Sequence, residues 1–186
     1  MVGVTSLGLT TFTVHADTKK AGDTIVSYTA QVQPKQWGIS VPANVDLGKN
    51  ESYPNCLQAN ATLSIVTDTG ALFTDVKIHT FNVSGNFTTP VVDDQFCFVN
   101  NEDKQQVKGQ LRLFNQGDTV KDWGTAGGTY TTTEGLKSIV IKSYDDKHVA
   151  PSRVVQFEGD KDKLEAANKN NAGLSARISW TAKELD

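Results

Sequence analysis

Residues 174–183 read Leu-Ser-Ala-Arg-Ile-Ser-Trp-Thr-Ala-Lys, with an apolar side chain at Leu174, Ala176, Ile178, Trp180 and Ala182 and a polar one at each odd position up to Lys183. Successive side chains of an extended chain point to opposite faces, so strict alternation of this kind specifies a β-strand with one buried and one wet face. The same period recurs at Val26, Tyr28, Ala30 and Val32, at Trp37, Ile39 and Val41, and at Ala61, Leu63 and Ile65. It returns from Val107 to Leu113, where Lys108, Gln110 and Arg112 are the outward members. Phe73–Val83 reads as a further strand, as do the segments around Ile139 and Ile141 and from Val154 to Phe157.

Turn-forming clusters separate these runs: Thr69-Gly70, Ser84-Gly85-Asn86, Asn115-Gln116-Gly117-Asp118 and Thr125-Ala126-Gly127-Gly128. Their spacing suits hairpins. Only Asp160–Asn168 has a helical character, with an acidic start and Leu164, Ala166 and Ala167 available for packing. The fold class that follows is all-β: an antiparallel β-sandwich with at most one short helix, its two inner faces about 10 Å apart.

The first residues pose a separate question. Val2–Val14 is uncharged and about half apolar, and Val14-His15-Ala16 has the small-residue pattern of a signal-peptidase site, although nothing basic precedes Lys19. Residues 1–16 are therefore read as a leader and 17–186 as one sandwich domain, the alternative being a Thr-rich first strand. The stretch is too short and too polar to cross about 30 Å of hydrocarbon, so no membrane span is expected. Among 186 residues the formal net charge is −3 with both signs interspersed, which provides no basic stripe for nucleic acid and no polybasic membrane patch.

In an exported chain the two cysteines, Cys56 and Cys97, would form a disulfide closing a loop of about 40 residues and contributing about 3–4 kcal/mol. The alternative is two unrelated buried thiols. With His15, His79 and His148 scattered, no metal-ligand spacing is present, and neither a metal nor a cofactor is expected.

Catalytic patterns are equally sparse. No Gly-x-Ser-x-Gly elbow occurs. His79 falls in the polar register of its strand and His148 in a loop, which makes both solvated surface residues. The acid pairs Asp93-Asp94 and Asp145-Asp146 read as loop solubility features rather than calcium or glycosidase sites. No catalytic residue is assigned. Asn-x-Ser/Thr occurs at Asn50, Asn60, Asn82 and Asn86, which would be glycosylation points only in a eukaryotic secreted protein.

Trp37 and Trp180 sit in apolar registers and read as core anchors. Trp123 lies in a Gly- and Thr-rich loop near Tyr130, and these two are the candidate ligand-binding residues, through stacking on a sugar or insertion into a partner.

Taken in order, the leader, WGISVPANVDLGKN, ATLSIVTDTG and LSARISWTAKEL resemble the WxL-like secreted cell-surface proteins of Gram-positive bacteria. Asp46-Leu47-Gly48 is similar to that group's DFG-like turn and Val66-Thr67-Asp68-Thr69-Gly70 to its VTDxRG-like turn, while the terminal strand keeps Trp180 and has Ala182 where the group carries Leu. The resemblance implies a sandwich displayed at or released from the cell wall, adhesive or part of a surface complex, without enzymatic activity. Attachment is expected to be noncovalent, since no sorting motif follows Trp180.

Three functions are thus in contention. The first is a secreted or cell-wall-associated, non-catalytic binding or adhesive module whose partner is a cell-wall polymer, a host glycan or a surface protein. The second is a self-associating subunit of an extracellular fibre or surface complex, in which an edge strand or the segment after Asp17, led by Lys19–Asp23, adds to a neighbour's sheet. A secreted carbohydrate-active enzyme with paired acids is the third.

Overall fold

The computed structural model describes residues 36–49, 53–75, 77–118, 120, 127–144 and 149–185. The leader, the strand expected at Val26–Val32, Trp123, Asp145, Asp146 and His148 lie outside the described residues.

The chain forms β1 (Trp37–Ser40), β2 (Gly48–Lys49), β3 (Cys56–Thr67), β4 (Thr80–Phe87), β5 (Val91–Val92), β6 (Gln95–Asn100) and β7 (Gln106–Leu113). There follow β8 (Thr129–Thr131), β9 (Ile139–Lys142), β10 (Ser152–Asp160), α1 (Lys161–Ala167), β11 (Leu174–Ser175) and β12 (Ile178–Leu185). The larger layer runs β1-β3-β10-β7-β6-β11, with β2, β5 and β8 attached to β3, β6 and β7; the smaller one is β12-β4-β9. This is the expected all-β sandwich, with one short α-helix among the described residues. Its core includes Leu63, Ile65, Phe81, Val83, Phe96, Leu136, Ile139, Ile141 and Val155, none of which is measurably exposed.

Alternation accounts for most of these strands. Ala59, Ala61, Leu63 and Ile65 of β3 turn inward, and β7 buries Val107, Gly109 and Leu111 between exposed Lys108 and Gln110. Helix α1 starts where Asp160 accepts a 3.1 Å bond from the Lys163 N–H, and it buries Leu164 and Ala167. The turn at Thr69-Gly70 closes through Thr67 N–H to the Ala71 carbonyl, with Gly70 at φ +81°, a conformation that suits glycine. Asp93 and Asp94, both at positive φ, are the two-residue loop of the β5–β6 hairpin, and Asp93 pairs with Lys108.

Three expectations are corrected. The stretch 174–183 is not one strand: β11 pairs with β6 in the larger layer, and β12 pairs with β4 in the smaller one. The chain changes layers at Ala176-Arg177. Nor is Phe73–Val83 continuous, because Phe73 bonds to Ile65 of one layer and to Tyr144 beyond β9, and regular pairing starts only at Thr80. Finally, Ser84-Gly85-Asn86 is not a turn but the interior of β4. Gly85 lies opposite Trp180, whose ring covers it so closely that a Cβ there would fall 2.5 Å from a ring carbon.

The expected disulfide is also absent. Cys56 and Cys97 are free thiols. Cys56 lies on β3 and Cys97 on β6, and β10 and β7 intervene between them. Three inter-strand steps amount to roughly 14 Å, well beyond the Cα separation of about 7 Å that a disulfide tolerates. Burial, with the Glu158 charge adding to it at Cys56, raises the pKa of Cys56; burial also raises that of Cys97, so neither is a reactive thiolate.

Candidate binding cleft between the layers

Strand β1 leaves β3 after the Ser40–Ser64 pair, and pairing resumes at Gly48–Gln58. Between these points seven residues, 41–47, face five of β3, 59–63, so the connecting chain bows out of the sheet. Pro42, which has no N–H to donate, stands where the departure begins. The chain's excursion opens the sandwich on that side.

The resulting cleft has a volume of about 570 Å³, within the range of ligand-binding pockets. Segment 42–47 forms one flank, residues 174–177 with Ile178 and Trp180 the other, and Ala59 and Ala61 of β3 leave room between them. Its aromatic wall is continuous. Phe87 and Phe96 stack at 4.8 Å, Phe98 meets Phe96 edge-on at 4.9 Å, and Phe157 closes on Phe96 at 5.8 Å. Phe96 can lie there because Gly109 has no side chain: a Cβ at that position would come 2.2 Å from the ring. Asp46, Asn101 and Arg177 contribute polar groups to the lining.

Beside the cleft runs β12, which among the described strands pairs only with β4. An edge strand presents unpaired N–H and C=O groups at alternate residues, a template for a further strand. A cleft with an aromatic wall and polar groups from Asn44, Asp46, Asn101, Ser175 and Arg177 therefore adjoins the open edge, and together they suit an extended chain.

The polar residues form two other clusters. Glu158, 4% exposed, has Oε1 2.7 Å from Arg112 Nε and 3.4 Å from the Gln58 amide, and Oε2 accepts from the Tyr130 hydroxyl at 3.2 Å. Burial works against the Arg112 charge, but the Tyr130 hydroxyl and the Glu158 carboxylate outweigh it and raise its pKa. Tyr130, on β8, is 55% exposed, yet Arg112 covers one ring face at 4.1 Å and bonds to the hydroxyl. Its other candidate partner, Trp123, lies outside the described residues.

His79 differs from the solvated residue expected. Its side chain is only 17% exposed, with Nε2 3.2 Å from Asp75 and Nδ1 against Glu184, and the ring meets Phe73 edge-on. Glu184 holds the inward register of β12, so the period-two pattern continues past Lys183 with a polar member. Both ring nitrogens face carboxylates, which is a structural tie between β12 and the crossing segment. The sequons at Asn60, Asn82 and Asn86 all fall inside strands, where Asn60 accepts a 3.0 Å bond from Gln156.

Sequence reasoning placed Trp180 and Ile178 in the core but missed the cleft they border. Phe96 and Phe98 carried a signal, alternating around Cys97 in Gln95-Phe96-Cys97-Phe98, that attention to the cysteine obscured.

No protein-family model matches the chain, and no curated protein matches it. Among solved structures, one chain from a chaperone–tip adhesin complex of CFA/I fimbriae biogenesis aligns with a TM-score of 0.45 and 11% identity. The alignment covers 81% of this chain and 42% of that one. Among the described residues no helix is long and apolar enough to cross a membrane.

Proposed function

We propose that the protein is a non-catalytic interaction module that works outside the cytoplasm, at the cell surface or released from it, and engages its partner through the open seam of the sandwich. The leader-like start of the sequence supports the compartment. One observation supports the mode of action: a cleft of about 570 Å³, walled by Phe87, Phe96, Phe98 and Trp180, adjoins the edge of β12.

That pairing favours a protein partner over a sugar. The cleft also carries polar groups, Asn44, Asp46, Asn101 and Arg177, but the strand edge beside it matches an extended peptide, which needs a hydrogen-bonding edge and pockets for alternate side chains. Peptide and glycan arrays probed with the full-length chain test the choice. Binding is expected to peptides with alternating apolar residues, with a change in Trp fluorescence that Trp180→Phe reduces. Binding confined to glycans, with the Trp signal unmoved, would overturn this reading.

A further inference from the structure

We propose that the seam is filled by residues 25–33 of a second copy of this chain, so that copies join head to tail; the inference rests on the seam being a strand-binding site. Three observations support this occupant.

The first is chemical fit. A strand laid along β12 turns alternate side chains inward, into the cleft where Ile178 and Trp180 line it and toward the space between the layers further along, so these should be apolar and the others polar. Ile25-Val26-Ser27-Tyr28-Thr29-Ala30-Gln31-Val32-Gln33 has that pattern, with Val26, Tyr28, Ala30 and Val32 on one face and Ser27, Thr29, Gln31 and Gln33 on the other. Pro34, which cannot donate a ladder hydrogen bond, marks its end.

The second is length. Nine extended residues span about 30 Å, enough to run the eight residues of β12. Only Pro34-Lys35-Gln36 separate the segment from β1 in the sequence.

Direction is the third, and it selects a second copy over self-insertion. Trp37 packs against Phe81 with ring centroids 4.8 Å apart, and Phe81 is paired with Glu184 near the end of β12. An arm ending at Trp37 and folding back into its own seam would therefore run in the same direction as β12. All ten pairings between the named strands are antiparallel, and parallel geometry occurs only at the isolated Thr74–Tyr144 bridge; the antiparallel arrangement is the more stable per residue. A second copy can present its arm antiparallel to β12. Because arm and seam are different surfaces, the contact is heterologous and propagates into a linear array rather than closing as a symmetric dimer.

The test uses full-length chains. Tyr28→Asp disables the arm and Ala61→Phe fills the seam. Sedimentation over a concentration series should show multimers for the wild type and monomers for each variant, while a mixture of the two variants should give a 1:1 heterodimer and nothing larger. A synthetic peptide of residues 23–34 should bind the Tyr28→Asp chain at least tenfold more tightly than the same peptide carrying that substitution. If Ala61→Phe does not fold, the peptide measurement decides. A monomeric wild type whose Tyr28→Asp variant gains peptide binding would mean that the arm fills its own seam, and the second copy is ruled out. Binding of unrelated alternating peptides but not of residues 23–34 would overturn this inference and leave the strand-binding seam intact. Failure of every peptide to bind would remove both.

Discussion

The two flanks of this sandwich are built from the same residue types and end in opposite states. Around Phe73, Phe81, Leu136, Ile139 and Ile141 the layers are closed, and none of these side chains is more than 1% exposed. On the other flank Phe96, Phe157 and Trp180 are buried as well, at 0%, 7% and 3% exposure, but together with half-buried Phe87 they border a cleft of about 570 Å³. Composition does not distinguish them. What does is the path of the connecting chain: residues 73–75 and 77–79 lie between the layers and plug one side, whereas 41–47 bow outward and leave the other ajar. Layers lined by the same aromatic residues are thus sealed or left with a cleft according to where a neighbouring segment goes.

Several substitutions would break or sharpen that contrast. The largest effect is expected on the closed flank, where Phe81→Ala should cost about 4 kcal/mol, while Phe87→Ala at the cleft wall should cost about 1.5 kcal/mol. Urea denaturation midpoints at constant m-value measure both, and equal losses would mean that the cleft is as tightly packed as the core.

Next is the polar cluster on the outer side of the larger layer. Glu158→Ala removes the buried carboxylate shared by Arg112, Gln58 and Tyr130 and should cost about 3 kcal/mol, with Glu158→Gln losing less; the same unfolding assay would show whether the ion pair matters. Added bulk should also separate the flanks. Ala61→Leu, extending into the cleft, is expected to change stability by less than about 1 kcal/mol, whereas Val83→Phe in the closed core should cost about 2 kcal/mol. Thermal unfolding of the pair reads the difference directly.

Smaller effects concern Cys56 on β3, Cys97 on β6 and the end of β10. Both thiols should resist alkylation in the native protein and react fully in denaturant without a reductant, as mass spectrometry would register; a bridged species would restore the disulfide. At the start of α1, hydrogen bonding from the Lys163 backbone holds the Asp160 pKa below its ordinary value. Its stabilising contribution is therefore complete above the ordinary carboxylate range and disappears as the pH falls through the lowered folded value. Protection of the α1 amides, taken relative to the intrinsic exchange rate at each pH, should fall in that acid range in the wild type and change little in Asp160→Asn, whose amide caps without titrating.

How much of this was legible beforehand depended on the range of the interaction involved. Alternation is local, so the strands at Trp37, Ala61, Val107, Ile139 and Val154 followed from their neighbours, as did the helix begun by Asp160. The layer a strand joins is a long-range property. Nothing between Leu174 and Lys183 marks the crossing at Ala176-Arg177, because the inward register is the same on both sides of it. Gly85 looked like a turn residue since the ring that requires its missing side chain, Trp180, lies far along the chain. The cleft was illegible for a related reason, arising from unequal chain lengths between two pairings rather than from any motif. Of the binding residues named from sequence, Tyr130 proved to be tied to Arg112 and Glu158.

The crossing at Ala176-Arg177 also governs how the molecule comes apart. One short stretch of chain is stitched by β11 to one sheet and by β12 to the other. Neither sheet can peel away while its counterpart keeps its shape, so melting should be one concerted event rather than a staged delamination.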